Sequence, residues 1–170
     1  MRFSIFAVVA AALVTACNPT FNWRDVRPTG TQLALLMPCK PEAAQKTVPL
    51  TGQPTELNLL SCDAGKVTFA VAAADVKDAS KVSATLTQWQ SATLANMKAA
   101  PGAPATAFRL TGLAEPGVLV KAVGRRSNGQ VVNSQAAYFA QGSQVFQVVV
   151  YASELPPDVA ETFFSGLKFE

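Results

Sequence analysis

Apolar positions along the chain alternate between two periods. Residues 33–37 (Leu-Ala-Leu-Leu-Met) form a continuous apolar run closed by Pro38, the pattern of a buried strand. Residues 45–50 read as a second strand, with Pro49 confining it to a sheet edge. Residues 56–62 and 67–73 flank the turn signal Asp63-Ala64-Gly65-Lys66, and Val67, Phe69 and Val71 alternate, so 56–73 predicts a hairpin. The period then lengthens. Val82, Leu86, Trp89, Thr93 and Met97 recur every three or four residues, one face of a helix over 79–98 with Asp78 as its cap. Ala99 to Ala105, with Pro101, Gly102 and Pro104, is a breaker loop.

The second half returns to period two. Strands are predicted over 106–110 and 118–125 around Glu115-Pro116-Gly117, then over 131–140 and 144–152. Asn128-Gly129 predicts a type I′ turn, with positive φ at both residues. In the last of these strands Phe146, Val148 and Val150 are wholly apolar, whereas Val145, Gln147, Val149 and Tyr151 are mixed. That contrast predicts a sheet covered by helices on one side. Pro156-Pro157 opens a short helix over 157–165 with Val159, Ala160, Phe163 and Phe164 as its buried stripe. Gly166 stops it, and 167–169 return to the sheet.

Composition narrows the classes. Of 170 residues, 49% are hydrophobic and 15% charged, which excludes a disordered chain or a coiled coil. A net charge of +3, spread along the chain, does not argue for nucleic acid. There is no histidine, so Ser-His-Asp and Cys-His catalysis and imidazole metal sites are excluded.

The first residues, MRFSIFAVVAAALVTAC, pair Arg2 with an apolar stretch from Phe3 to Val14, too short for a confident membrane span and the length of a secretory signal. Its end, Val14-Thr15-Ala16-Cys17, resembles the lipobox of bacterial lipoproteins. The resemblance implies cleavage after residue 16, a diacylglycerol on the Cys17 thiol and a further acyl chain such as palmitate on the new amine. Several acyl chains hold a protein to a bilayer where one does not. By the same resemblance, Asn18 in place of aspartate favours the outer membrane. An ordinary signal peptide ahead of a chance cysteine is the plainer alternative.

Cys39 and Cys62 are then left over. An even pair in an exported chain reads as a disulfide closing a loop of about two dozen residues, for about 3 kcal/mol. Two buried free thiols are the alternative.

The order of elements, with Trp89 and Leu94 on the long helix, the strand Phe146 to Tyr151 and the ending Ala160-Glu161-Thr162-Phe163-Phe164-Ser165-Gly166-Leu167-Lys168-Phe169, resembles the PsbP/Mog1-like fold. It also resembles a group of uncharacterised Gram-negative lipoproteins. The PsbP/Mog1 resemblance implies an α+β fold, an antiparallel β-sheet packed by one long helix and a short C-terminal helix, and domains that bind or assemble rather than catalyse.

Candidate sites are few. Lys121, Arg125 and Arg126 beside the Asn128-Gly129 turn form a candidate interaction surface for lipid head groups or an acidic partner, with Lys121 and Arg125 on one face. A solvated hairpin end is the alternative. Trp89 and Phe163-Phe164 are core or pocket lining. Trp23, Arg24, Asp25 and Arg27 are a docking segment or a loop. Asp75 and Asp78, Ser80-Lys81, and Ser165 with Lys168 lack the motifs that would make them chemical. The sequence therefore predicts a signal peptide over 1–16, a lipidated tether over 17–32, with Phe21 and Trp23 able to pack on the domain edge, and a single α+β domain over 33–170. It predicts a non-enzymatic binding or assembly module for envelope proteins, or alternatively a carrier or sensor of a small apolar ligand. No cofactor, no metal and no nucleic acid are expected. The partners expected are the bilayer, through the acyl chains, and an envelope protein facing the periplasm.

Overall fold

The computed structural model describes residues 19–170. The lipobox and Cys17 lie outside the described residues. Strands β1 (Arg24–Val26), β2 (Leu33–Met37), β3 (Glu42–Leu50), β4 (Gln53–Ala64) and β5 (Val67–Asp75) come first. A 3₁₀ turn (Ala79–Lys81) leads into α1 (Val82–Asn96). Then follow β6 (Ala105–Phe108), β7 (Gly117–Arg125), β8 (Val131–Gln141), β9 (Gln144–Ala152), α2 (Pro157–Ser165) and β10 (Lys168–Phe169). The class is α+β. Seven strands pair in the order β3-β4-β5-β9-β8-β7-β6, every neighbour antiparallel, and β1-β2-β10 form a small second sheet.

The large sheet is covered on both faces, not one. Phe69, Val71, Phe139, Phe146, Val148 and Val150 form the apolar face. On it lie Phe163 and Phe164 of α2 and Leu33, Leu35 and Met37 of the small sheet. Phe69 meets Phe163 edge-on with ring centroids 5.1 Å apart, and Phe139 stacks on Phe146 at 5.3 Å. The mixed face takes α1. Ala72, Ala74 and Ala136 are small there, so Trp89 seats close to the sheet among Tyr138, Val145 and Val149. The residue that made this face look solvated, Gln147, is buried. Its amide nitrogen donates to Thr93 Oγ1 at 2.9 Å and to the Tyr138 hydroxyl at 3.0 Å, which removes the cost of burying it.

Element boundaries depart from expectation for local reasons. The Asp78 carboxylate accepts from the Ser80 amide at 2.9 Å, capping the 3₁₀ turn, and α1 starts only at Val82 with no side-chain cap. The helix ends at Asn96. Lys98 takes a left-handed φ of 50°, its amide bonds to Ala95 O at 2.9 Å, and Ala99 N bonds to Leu94 O at 3.0 Å, the paired closure of a Schellman motif. Gly166 ends α2 with φ −77°, so it is not a left-handed stop. Its missing Cβ leaves room for Leu36, whose Cγ lies 3.0 Å from where that atom would stand. The closing strand β10 pairs with β2 in the small sheet (Phe169↔Leu33) rather than returning to the large one.

Residues 22–32, read as tether, are part of the packed structure. β1 pairs with β2 (Arg24↔Met37), and Asn22 N donates to Pro38 O at 2.8 Å.

Candidate functional site

Cys39 and Cys62 are bonded, with Cα atoms 6.0 Å apart. Cys39 follows β2 of the small sheet and Cys62 lies in β4, on the face of the large sheet that looks toward it. The bridge therefore joins two layers, not two strands of one hairpin.

The β7–β8 connection is a three-residue loop, Ser127-Asn128-Gly129. Gly129 N bonds to Arg126 O and Arg126 N to Gln130 O, both at 2.9 Å. Only Gly129 has positive φ, at 83°. This is a type I turn with a glycine bulge in place of the expected type I′ turn. The Asn128 side chain accepts from Gln130 N at 3.1 Å, which supports the turn from within.

Lys121 and Arg125 share one face of β7, as the alternation requires, and all three cations are exposed. The structure divides them between two grooves. Lys121 lines a shallow groove of about 540 Å³ with Val123, Asn133, Leu155 and the Pro101–Pro104 loop. Arg125 and Arg126 line a cleft of about 520 Å³ where the C-terminal half of α1 crosses β9 and β8. Its walls are Trp89, Met97, Val132 and Tyr151, and Thr93, Asn96 and Gln147 supply polar atoms. Arg125 is fixed there by its backbone, whose N–H donates to Met97 O at 2.7 Å. Gly124 permits that approach, since a Cβ would stand 2.3 Å from the Met97 carbonyl oxygen.

The chemistry of the cleft follows from its lining. Arg126, an indole, a phenol, two amides and the Thr68 and Thr93 hydroxyls line it, with the backbone of Arg125 at its edge and no carboxylate. Burial pushes the Tyr151 phenol up to about 12, with the neighbouring Tyr138 adding to the shift. Burial also raises Tyr138, against the hydrogen bonds from Thr93 and Gln147. Both phenols are thus neutral donors across the physiological range. Trp89 is core and cleft wall together. Phe163 and Phe164 are core.

The remaining candidates do not assemble. Asp75 bonds to Lys77 and Ser143, and Asp78 to Ser80, so they do not form a carboxylate pair. Ser80 Oγ donates to Asp78, Ser165 Oγ to Thr162 O, and Lys168 pairs with Glu170, so neither Ser–Lys pair meets. Trp23 packs on Phe69, and Arg27 pairs with Glu170, which binds β1 into the domain. Among the described residues no three His, Cys, Asp or Glu side chains gather to hold a metal, and no helix is long and apolar enough to cross a membrane. Sequence reasoning missed Tyr138, Gln147 and Tyr151 as site residues. For Gln147 and Tyr151 the one signal was the mixed face of β9; Tyr138, in β8, had none.

No protein-family model and no curated protein matches the sequence. A crystal structure from Bacteroides thetaiotaomicron VPI-5482 is similar at 12% identity and a TM-score of 0.49, over 82% of this chain and 45% of that one. The chain thus spans less than half of the Bacteroides protein. PA94 of Pseudomonas aeruginosa, a protein of unknown function, is similar at 14% identity and a TM-score of 0.35, over 82% of this chain and 87% of that one. At those scores neither carries an argument about fold or function.

Proposed function

We propose that this chain is a lipid-anchored protein of the bacterial envelope that faces the periplasm, sits at the outer membrane and works by non-covalent binding. The lipobox-like Val14-Thr15-Ala16-Cys17 supports the anchor, and Asn18 the outer membrane. The α1 cleft carries the binding reading. Its volume of about 520 Å³ falls within the range of small-molecule sites. Its lining amends the expected ligand. An apolar molecule suits Trp89, Tyr151 and Val132, but Arg126 at the exposed rim calls for an acidic group as well. The ligand class is therefore a small molecule with a planar or apolar body and a carboxylate or phosphate. Native mass spectrometry after mild extraction tests this: a copurified acidic small molecule, lost in Arg126→Ala with Tyr151→Phe, is the expected result. A protein that is bare under every extraction condition sinks the reading.

A second reading, docking of an envelope protein, is favoured by β3. Its nine residues form an edge of the large sheet, and residues 42–47 are exposed throughout. An edge of that length offers unpaired backbone groups to an added strand. Ala43 is one of the β3 positions whose N–H points out from the sheet. Crosslinking that recovers one envelope protein from the wild type and not from Ala43→Pro supports this reading; equal recovery from both excludes it. The PsbP/Mog1-like kinship belongs to the same proposal, supported by the antiparallel sheet between α1 and α2.

A further inference from the structure

The packed chain begins almost at the lipidation motif. Phe21 stacks on Trp23 at 6.2 Å, and both rings meet Phe69 edge-on, at 6.3 and 6.1 Å. Thr20 and Phe21 lie directly over the β4–β5 turn: a Cβ on Gly65 would stand 3.0 Å from the Thr20 methyl and 2.6 Å from the Phe21 ring. Only three peptide steps separate Cys17 from Thr20, a reach of about 10 Å when fully extended. A lipid on Cys17 would hold that turn at the bilayer rather than on a long leash.

Strand register shows what shares that end of the sheet. Ala64↔Val67, Thr68↔Tyr151, Asn133↔Ala152 and Arg125↔Val131 are successive pairs along it. The C-terminus of α1 ends there too, through the bond from Arg125 N to Met97 O. Lys66, Lys98, Arg125 and Arg126 therefore gather, all exposed, at the end where the chain comes in from Cys17. Val123 and Val131 stand among them, 57% and 44% exposed. The acids at this end are Asp63, which accepts from Thr68, and Glu154 and Asp158, where β9 runs into α2. Asn133 bonds to Ser153 O and Leu155 shares a groove with Lys121 and Val123, so Glu154 flanks the Arg125 face, whereas Lys98 and Arg126 stand on the α1 side.

We infer that this end of the large sheet, the β4–β5 turn together with the β7–β8 hairpin, lies on the anionic phospholipid surface, with Lys66, Arg125 and Arg126 against the headgroup phosphates. The inference rests on the lipid anchor proposed above. From β4 to β7 is four strand spacings, about 19 Å, so anchor and hairpin are two separated supports and together set the tilt of the domain. The opposite end, with the first turn of α1, is about 30 Å away along nine-residue strands. The rim of the α1 cleft then opens at the membrane.

The test uses the lipidated full chain in vesicles of phosphatidylcholine, with and without a quarter of phosphatidylglycerol. An environment-sensitive dye is placed at Ser127→Cys in the hairpin, or at Ser83→Cys in the first turn of α1. The expected result is a blue shift at 127 in anionic vesicles and none at 83. Arg125→Glu with Arg126→Glu abolishes it, and so does 0.5 M salt, which shortens the screening length to a few ångströms. Inserting twelve Gly/Ser residues between Asn18 and Pro19 cuts the shift several-fold while the chain stays in the vesicles. Equal signals at 127 and 83, or a shift at 127 that survives both changes, overturn the inference. Retention in neutral vesicles reads the anchor by itself. A chain retained there that shows no shift in anionic vesicles loses the docking and keeps the anchor. A chain not retained loses both.

Discussion

Three donors converge on Asp75 at the end of β5. Lys77 donates from its side chain and from its backbone N–H, each at 2.9 Å, and Ser143 Oγ donates at 2.7 Å from the β8–β9 turn. The Lys77 side chain first, then its amide and Ser143, hold the carboxyl at about 2, below its ordinary 3.8. The sign follows from linkage. A carboxyl depressed in the folded state stabilises the fold above its unfolded value, and that contribution is lost as pH falls from about 3.8 toward 2. With a third of the side chain in solvent, screening reduces the effect to about 1 kcal/mol. Asp75→Asn is therefore expected to lose about 1 kcal/mol in urea melts at pH 7, and the gap to the wild type should narrow as pH falls from about 3.8 through 2. A gap of the same size at both pH values would mean that the carboxylate charge contributes nothing.

Strand positions were legible because each rests on its own alternation. Leu33–Met37, Val67–Asp75 and Gln144–Ala152 lie where the apolar pattern puts them, and α2 spans Pro157–Ser165 as the proline and its stripe require. What could not be read depends on residues far apart in sequence. Nothing local to Lys168 and Phe169 names β2 as their partner, and nothing near Gln147 announces the Thr93 and Tyr138 atoms that satisfy it. The end of α1 is a subtler case. The breakers Pro101 and Pro104 come too late to mark it, and the residue that closes the helix is a lysine where glycine is usual. A non-glycine side chain in the left-handed region costs on the order of 1 kcal/mol. Lys98→Gly should thus stabilise the protein by about 0.5–1 kcal/mol despite removing a charge, as read by thermal melts. A destabilisation would show that the Lys98 side chain makes a contact that outweighs its backbone strain.

At the scale of the whole molecule, the small sheet is held to the large one by α2, by the aromatic cluster and by the Cys39–Cys62 bridge. If the bridge acts on the unfolded chain, its reduction removes about 3 kcal/mol and lowers the melting temperature by on the order of 10 °C. An unchanged melt after verified reduction would leave the bridge energetically idle. Of the cleft, Arg126 and the backbone of Arg125 were legible, beside a turn signal, whereas Lys121 lies in a separate groove. The aromatic and amide half was not, because β8, β9 and α1 meet only through the non-local sheet order. The N-terminal segment was half legible: its polar sequence reads as tether, while its two aromatic rings, readable as packing on the domain edge, lie on Phe69. Phe21 decides between the two descriptions. A ring on a free tether contributes nothing to stability, and its removal would change the melt by less than about 0.5 kcal/mol. A half-buried ring stacked on Trp23 and set edge-on to Phe69 contributes through both area and ring geometry. Phe21→Ala is therefore expected to cost about 1–2 kcal/mol, while exposed Asp25→Ala on the neighbouring strand costs little. The loss should appear in the same cooperative transition as the rest of the domain. A separate early transition, or none, would detach this segment from the core and lengthen the leash on which the short reach to the membrane depends.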